Sequence, residues 1–354
     1  MNNTRACTHR GIVLSVVGAV ALAALGGAGQ GGAGPAKSAS APAAPAQVSQ
    51  LSWAEVLEQA PDSKVVTDPE YLKRITETKL PWRVNDKATG IEMLLVPPGK
   101  FVMGMSPGDS EAVELEEGLA KKLTELKHNE RPAHEVTIST AFYLGRFEVT
   151  QEQWVKVMGQ NPSYFQPTTR EALIEKYMAE GLTKQEALAR AATEAGGANP
   201  QAKHPVESVS WYDCQNFCAT TGMRLPSEAE WEYACRAGVR KPRYGELDRI
   251  AWHGEDADGS THPVAGKFPN ALGFHDMLGN VWEWCQDWFE VYYYKSCEDG
   301  VVDPRGPTTG SYRVLRGGAW LNLSFFLRSS HRYYGVPPGG SNYDIGFRVA
   351  RAPS

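Results

Sequence analysis

The chain is poor in the features that would sort it quickly. It has little net charge: 36 Lys and Arg stand against 41 Asp and Glu among 354 residues, a formal −5. That mild acidic excess argues against a dedicated nucleic-acid binder, which would carry a basic face. It has no apolar run beyond Gly11–Leu25, which is 15 residues against the roughly 20 a membrane span needs. No membrane span is therefore expected in the mature chain. Its eight His are scattered, at 9, 128, 134, 204, 253, 262, 275 and 331, and form no metal-binding cluster. Charged residues are 22% and hydrophobic ones 42%, which argues against disorder, collagen or a coiled coil. What it has is 35 Gly, 23 Pro, 10 Trp and 14 Tyr, the make-up of a loop-rich, aromatic-rich body.

Arg5 and Arg10 precede the apolar run, and Gly26, Gly27, Ala28 and Gly29 follow it. A basic start, a short apolar core and small residues read as a secretory signal peptide over 1–28, with an uncleaved anchor as the alternative. Residues 29–50 are a flexible linker: the stretch from 26 to 50 holds six Gly, eight Ala, three Pro and three Ser, with Lys37 as its only charge. The expected location is outside the cytoplasm: periplasm, cell surface or medium. Cys7 precedes the apolar run, which speaks against a lipid anchor. Five cysteines remain: 214, 218, 235, 285 and 297. The odd number leaves one thiol unpaired. Cys214 and Cys218 have no zinc-type spacing, so they read as small buried residues or disulfide partners.

Residues 51–90 read as an N-terminal helical clasp, with Trp53, Val56 and Leu57 on one helix and Tyr71, Leu72 and Ile75 on another. A main domain follows over 91–354. Strand-like runs flank Pro97-Pro98-Gly99, and others lie at His134–Ile138 and Phe142–Val149. Three helices announce themselves by their caps: Thr150 with Gln153, Ser210 with Asp213, and Ser227 with Glu230. In each the cap hydroxyl takes an orphan backbone N–H. Gly159 and Gly222 end the first two. Residues 167–203 read as an inserted helical hairpin, with Thr168 and Glu171 capping one helix and Thr183 and Glu186 the next. Its faces are Leu173, Ile174, Tyr177 and Leu182, Leu188, Ala192; Gly181 and Gly196-Gly197 end its helices. After residue 240 helix signals vanish, and short strand runs near 313–316 and 346–350 remain.

Eight blocks, in order, carry a resemblance: VPPGKFVMG (96–104), ERPAHEV (130–136), GRFEVTQEQW (145–154), HPVESVSWYD (204–213), RLPSEAEWEYACRAG (224–238), GNVWEWCQDW (279–288), RVLRGGAW (313–320) and IGFRVAR (345–351). The chain from about Ile91 to Arg351 resembles the formylglycine-generating enzyme, or sulfatase-modifying factor, family. The resemblance implies an α+β fold, a variant of the C-type lectin fold with little regular structure. It also implies structural calcium held by Asp276, Gly279, Val281 and Glu283: two carboxylates and two backbone carbonyls, hard oxygen ligands that suit this ion. A second calcium loop would fall in 248–262, where Asp256 and Asp258 are the obvious ligands. In RLPSEAEWEY the arginine and the carboxylates read as a structural ion-pair and capping network rather than as catalytic groups. Gly279 and Asn280 suit a tight turn, and Cys285 is read as part of it.

The chain departs from the family where the chemistry sits. The oxidase of this family holds copper(I) on two cysteines, soft ligands for a soft ion. Here GGAWLNLSFFLRSSHR (317–332) puts Asn322 at the first position and Phe325–Leu327 at the second. Copper is therefore not expected. A cysteine that the family pairs with the one at Cys218 is replaced by Val349. What the segment holds instead is Trp320, Asn322, Phe325, Phe326, Arg328, His331, Tyr333, Tyr334 and Tyr343, with Arg332, Asn342 and Asp344 among them. Aromatics beside amides and guanidiniums suit a glycan, peptide or protein ligand. The expectation is an exported, non-catalytic binding module. The alternatives are an enzyme of the formylglycine-generating or oxidoreductase type with an altered site, and a binding protein diversified between GG-x-W and GFR by a retroelement. A structural component of an exported complex is a third, weaker reading.

Overall fold

The computed structural model describes residues 51–105, 127–166, 170–195, 203–297 and 300–354. The signal and linker readings, Thr168, Gly196 and Gly197 lie outside those residues, as do the side chains of Glu171, Leu173 and Ala192. The largest sheet has five strands in the order β1-β2-β3-β6-β11: Ala54–Glu58, Arg83–Asp86, Glu92–Val96, Phe142–Gly145 and Ala350–Arg351. All its neighbours run antiparallel. The apolar run of β3 explains its central place, since Met93 to Val96 are all buried. The Pro-Pro-Gly turn then feeds β4 (Gly99–Met103), which pairs with β5 (His134–Ile138), itself parallel to β8 (Val301–Val302). Gly99 leaves room for the Arg74 guanidinium and the Tyr233 hydroxyl, which a Cβ there would displace.

The first helix of the expected clasp is a correction. Ala54–Glu58 is the edge strand β1, with Val56 opposite Val84, and Val56 and Leu57 are exposed. Strand pairing with Arg83–Asp86 overrides the weak helical spacing. The second is helix α1 (Pro69–Glu77), capped by Asp68, with Tyr71 and Ile75 buried. Residues 51–90 thus add two strands and one helix to the main sheet.

The three capping boxes form as read. They start α2 (Gln151–Met158), α5 (Trp211–Thr221) and α6 (Glu228–Arg236). Gly159 and Gly222 end the first two in the left-handed conformation. The insertion contributes α3 (Arg170–Ala179) and α4 (Lys184–Ala195), with Thr183 and Glu186 bonded reciprocally. Tyr177, Ala187 and Ala191, with Ile174 and Leu182, make a small apolar cluster separate from the main core. Beyond 240 the helices among the described residues are short: α7 (Leu247–Ile250), α8 (Tyr293–Ser296) and a 3-10 turn at Ser324–Phe326.

The third sheet frames the segment of interest. Its order is β10-β7-β9: Ile345–Gly346, Trp282–Trp288 and Arg313–Arg316. Cys285 is therefore in the strand β7, not in the turn before it, because the turn closes at Gly279 and Asn280. Those residues have φ of +84° and +56°. A Cβ on Gly279 would lie 2.2 Å from the Trp252 carbonyl, so only glycine fits there.

Candidate functional site

The chain leaves β9 through Gly317-Gly318 and returns at β10. Trp320 N donates to Asn280 O at 2.8 Å, and Gly254 N donates to Asn322 O at 2.9 Å. The first bond pins the start of the segment to the Gly279–Asn280 turn, and the second pins it to Gly254. Its nine aromatic and polar candidates then divide into three groups.

Phe325, Arg328 and His331 point inward. All three are buried. Arg328 grips Glu130 with two bonds of 2.7 and 2.9 Å, Ser330 Oγ donates to it at 2.7 Å, and His331 Nδ1 lies 3.0 Å away. Burial alone would raise the Glu130 carboxyl, but Arg328 and then His331 outweigh it and hold it far below the usual range. Burial pushes His331 down. This set ties the segment to the Lys127–Glu130 turn.

Phe326, half-buried, packs on that first group, 5.5 Å from Phe325 and 5.4 Å from His331, while Tyr333 and Tyr334 belong to a second group. Tyr333 stacks on Trp282 at 5.0 Å, and Tyr334 stacks on Phe289 at 3.9 Å. Tyr333 also pairs its backbone with Leu315.

Trp320 and Tyr343 form the third group with two residues that sequence reasoning missed, Tyr164 and Phe165. Phe165 meets Trp320 at 5.4 Å and 86°, and Tyr343 at 6.3 Å and 90°. Tyr164 lies 5.7 Å from Tyr343, and Trp320 lies 5.9 Å from it. The rings make a corner with perpendicular walls. It is open to solvent, since Tyr164 is 72% and Tyr343 42% exposed. Asn322 holds the adjoining turn by accepting from Ala319 N at 2.8 Å.

Two buried acids lie beside the corner. Glu207, also missed, accepts from Phe165 N at 2.8 Å and from Ser208 Oγ at 2.7 Å. Asp344 follows Tyr343, and its Oδ1 is buried without a partner. Burial first, and then the field of Asp344, pushes Glu207 up; burial pushes Asp344 up as well. Among the described residues neither acid has an ion pair. The Trp320 indole N–H is likewise buried without an acceptor. Only Tyr164-Phe165, two adjacent aromatics in a polar loop, hinted at this face in the sequence.

The thiols lie elsewhere. Cys214, Cys218, Cys235, Cys285 and Cys297 are all free, and the first four are buried. Burial pushes Cys218 and Cys235 up to about 12 and raises the other three. At the positions matched to the copper cysteines, Asn322 is a turn ligand, and Phe325 and Leu327 are packed inside.

The expected calcium turn is acidic and buried. Asp276, Glu283 and Glu148 are all buried. Asp276 Oδ2 accepts from Ala265 N at 2.7 Å, while its Oδ1 and the Glu148 Oε1 have no partner. Burial pushes Asp276 up to about 6; burial, then Asp276 and Glu283, raises Glu148 further. Two unmet hard oxygens fit a hard cation. Glu283 fits less well, because Arg348 takes both its oxygens at 2.7 Å and Trp231 Nε1 adds a third bond. In the second loop, Asp256 accepts from His253 N at 3.0 Å and pairs with Lys267. Among the described residues no three His, Cys, Asp or Glu side chains gather as a ligand set. No helix among them is long and apolar enough to cross a membrane.

Comparison with known proteins places this geometry. A profile described as the sulfatase-modifying factor enzyme 1-like domain matches residues 81–353. The chain is 32% identical over 301 residues to the serine/threonine-protein kinase pkn1 of Chlamydia caviae, across 84% of this chain and 43% of that one. It is 41% identical over 167 residues to the formylglycine-generating enzyme of Streptomyces coelicolor, across 42% of this chain and 52% of that one. The alignments thus span about half of these relatives or less. Among solved structures, Treponema denticola variable protein 1 matches with a TM-score of 0.53 at 26% identity, across 74% of this chain and 95% of that one.

Proposed function

The chain belongs to the sulfatase-modifying factor enzyme 1-like family, with its α+β, C-type-lectin-like fold, and from that premise we propose that it is a non-catalytic binding module. The observation that carries this reading is the pair of positions matched to the copper cysteines. An amide that closes a turn and a buried apolar stretch stand there. Neither can ligate a soft ion as two thiolates do. The five thiols present are raised by burial and sit on other elements, so none is poised as a thiolate nucleophile or ligand. In the same segment, exposed aromatic rings take the place of reactive atoms, which suits recognition of a glycan, a peptide or a protein.

The module works outside the cytoplasm, a proposal that rests on the basic, apolar and small-residue order of its first 28 residues. It holds calcium at the Asp276–Glu283 turn, where Asp276 and the Gly279 and Val281 carbonyls supply oxygens. The bare oxygen of Glu148 supports a role there in place of Glu283.

The test is an oxidation assay read by mass spectrometry. The purified chain receives a peptide carrying the Cys-x-Pro-x-Arg motif, copper(I), oxygen and reductant, beside an active formylglycine-generating enzyme as control. We expect no change at the peptide cysteine. Conversion to formylglycine would overturn the non-catalytic reading and point to an enzyme with relocated thiols.

A further inference from the structure

We propose that the corner formed by Tyr164, Phe165, Trp320 and Tyr343 binds an alkylated ammonium group. The inference rests on the binding-module reading and gives that module its ligand class. The shared chemistry is a compact cation clothed in methyl groups, found both in choline-like small molecules and in methylated lysine side chains.

Three observations converge. First, the rings stand as walls rather than as a platform. Phe165 is perpendicular to Trp320, Tyr343 and Tyr164, at 86°, 90° and 90°. A flat sugar face stacks on one ring; perpendicular rings instead present several π faces to one compact group. Such faces attract a cation, most of all when it is desolvated.

Second, two carboxyls beside the rings lack a cation. Asp344 is 7% exposed, and its Oδ1 has no hydrogen-bond partner. Glu207 is fully buried, and its partners are the backbone N–H groups of Phe165 and Tyr164 and the Ser208 hydroxyl. Three of the chain's other buried acids are matched by an arginine, Glu130 by Arg328, Glu228 by Arg332 and Glu283 by Arg348, and among the described residues only at this corner do two unmatched acids stand beside exposed rings. A buried charge left unpaired is costly. An external positive group at the rings would offset that cost. A neutral sugar would offer hydrogen bonds but no charge.

Third, the corner is open where a ligand would enter. Tyr164, Tyr343 and the flanking Leu321 and Leu323 are all exposed. The methyl groups of an alkylated cation would cover this apolar rim, and a bare ammonium would not.

The test uses the full chain and three probes: choline, a short peptide with one trimethyl-lysine, and 3,3-dimethyl-1-butanol, the neutral carbon isostere of choline. Binding is read by calorimetry. We expect at least one cationic probe to bind, and the isostere to bind at least about tenfold more weakly. Asp344→Asn would weaken the cation about tenfold or more. Tyr343→Leu, at an exposed position, gives a second reading where the acid variant does not fold. Preference for choline assigns a small-molecule source, and preference for the peptide a protein source. Equal binding of cation and isostere, indifference to both substitutions, or no binding of either cation overturns the inference. Each of those outcomes leaves the module reading to its own oxidation assay. Formylglycine production there would sink that reading without touching a measured cation affinity.

Discussion

At the scale of single residues, arginines reach inside to pair with buried acids. Arg332 holds Glu228 with bonds of 2.6 and 2.9 Å. Arg316 joins Glu228 to Glu232, and Arg236 closes the row at 2.8 Å. All of these side chains are buried. Such pairs give specificity more than net stability, and removing one partner is what costs. Asp287 sits at the edge of the row with no cation of its own. It accepts from Glu228 N at 2.9 Å, and burial, then the Glu228 charge, pushes it up to about 7. The sign of its effect follows. Its folded value lies above the unfolded one of about 3.9, so the unfolded chain releases the proton first as pH rises. Asp287 therefore lowers stability progressively between about pH 4 and pH 7. Asp287→Asn would gain stability relative to the parent over that window, measured as urea midpoints at pH 4.5 and 7. His275, which burial lowers to about 4, gives the opposite sign: the parent loses stability as pH falls from about 6.5 to 4, so His275→Gln would gain there. Parallel curves for parent and variants would contradict both readings.

At the scale of elements, what the sequence made legible was local. The caps of α2, α5 and α6 need only residues three apart, and all three formed as read. The edge strand β1 did not announce itself, because its structure is decided by Arg83–Asp86 across a turn and a helix. Val56 and Leu57 have helical spacing but face solvent. The inserted hairpin was legible for the same reason as the caps: its cluster of Tyr177, Ala187 and Ala191 is built from its own two helices. That independence makes a prediction. Joining residue 166 to 204 through a short Gly-Ser bridge should leave a folded body. No buried residue of the main core is lost, so Tm should move by no more than about 2 °C, the shift that follows from roughly 1 kcal/mol in a chain of this size. A collapse of the thermal transition would show that the hairpin holds up the body rather than decorating it.

At the scale of the whole molecule, the body joins a readable frame to a site assembled from distant parts. The Trp320–Tyr343 span could be picked out as aromatic and polar, yet Arg328 and His331 turned inward to Glu130, while Tyr164, Phe165 and Glu207 came in from the two ends of the insertion. No spacing rule links residue 165 to residue 320; only the closed fold does. The Gly279–Asn280 turn is where that closure is concentrated, since it carries the Trp320 backbone on one side and the unmet oxygens of Asp276 and Glu148 on the other. A cation there would relieve two buried acids and fix the turn that fixes the site. Calcium at about 100 times its dissociation constant would then add about 2.7 kcal/mol, a rise in Tm of roughly 5 °C, which a chelator should reverse. Magnesium, which keeps its waters and demands octahedral geometry, should give much less. The ion would displace protons that Asp276 and Glu148 hold because burial raises both, so the gain should be larger at pH 7 than at pH 5. Asp276→Asn should abolish the calcium response. Glu283→Gln should instead lower Tm with and without the ion, because it leaves Arg348 unpaired. Identical melting in calcium and in chelator would mean that the two acids are carried protonated in the core, and that the turn is held by its hydrogen bonds and by Arg348 without an ion.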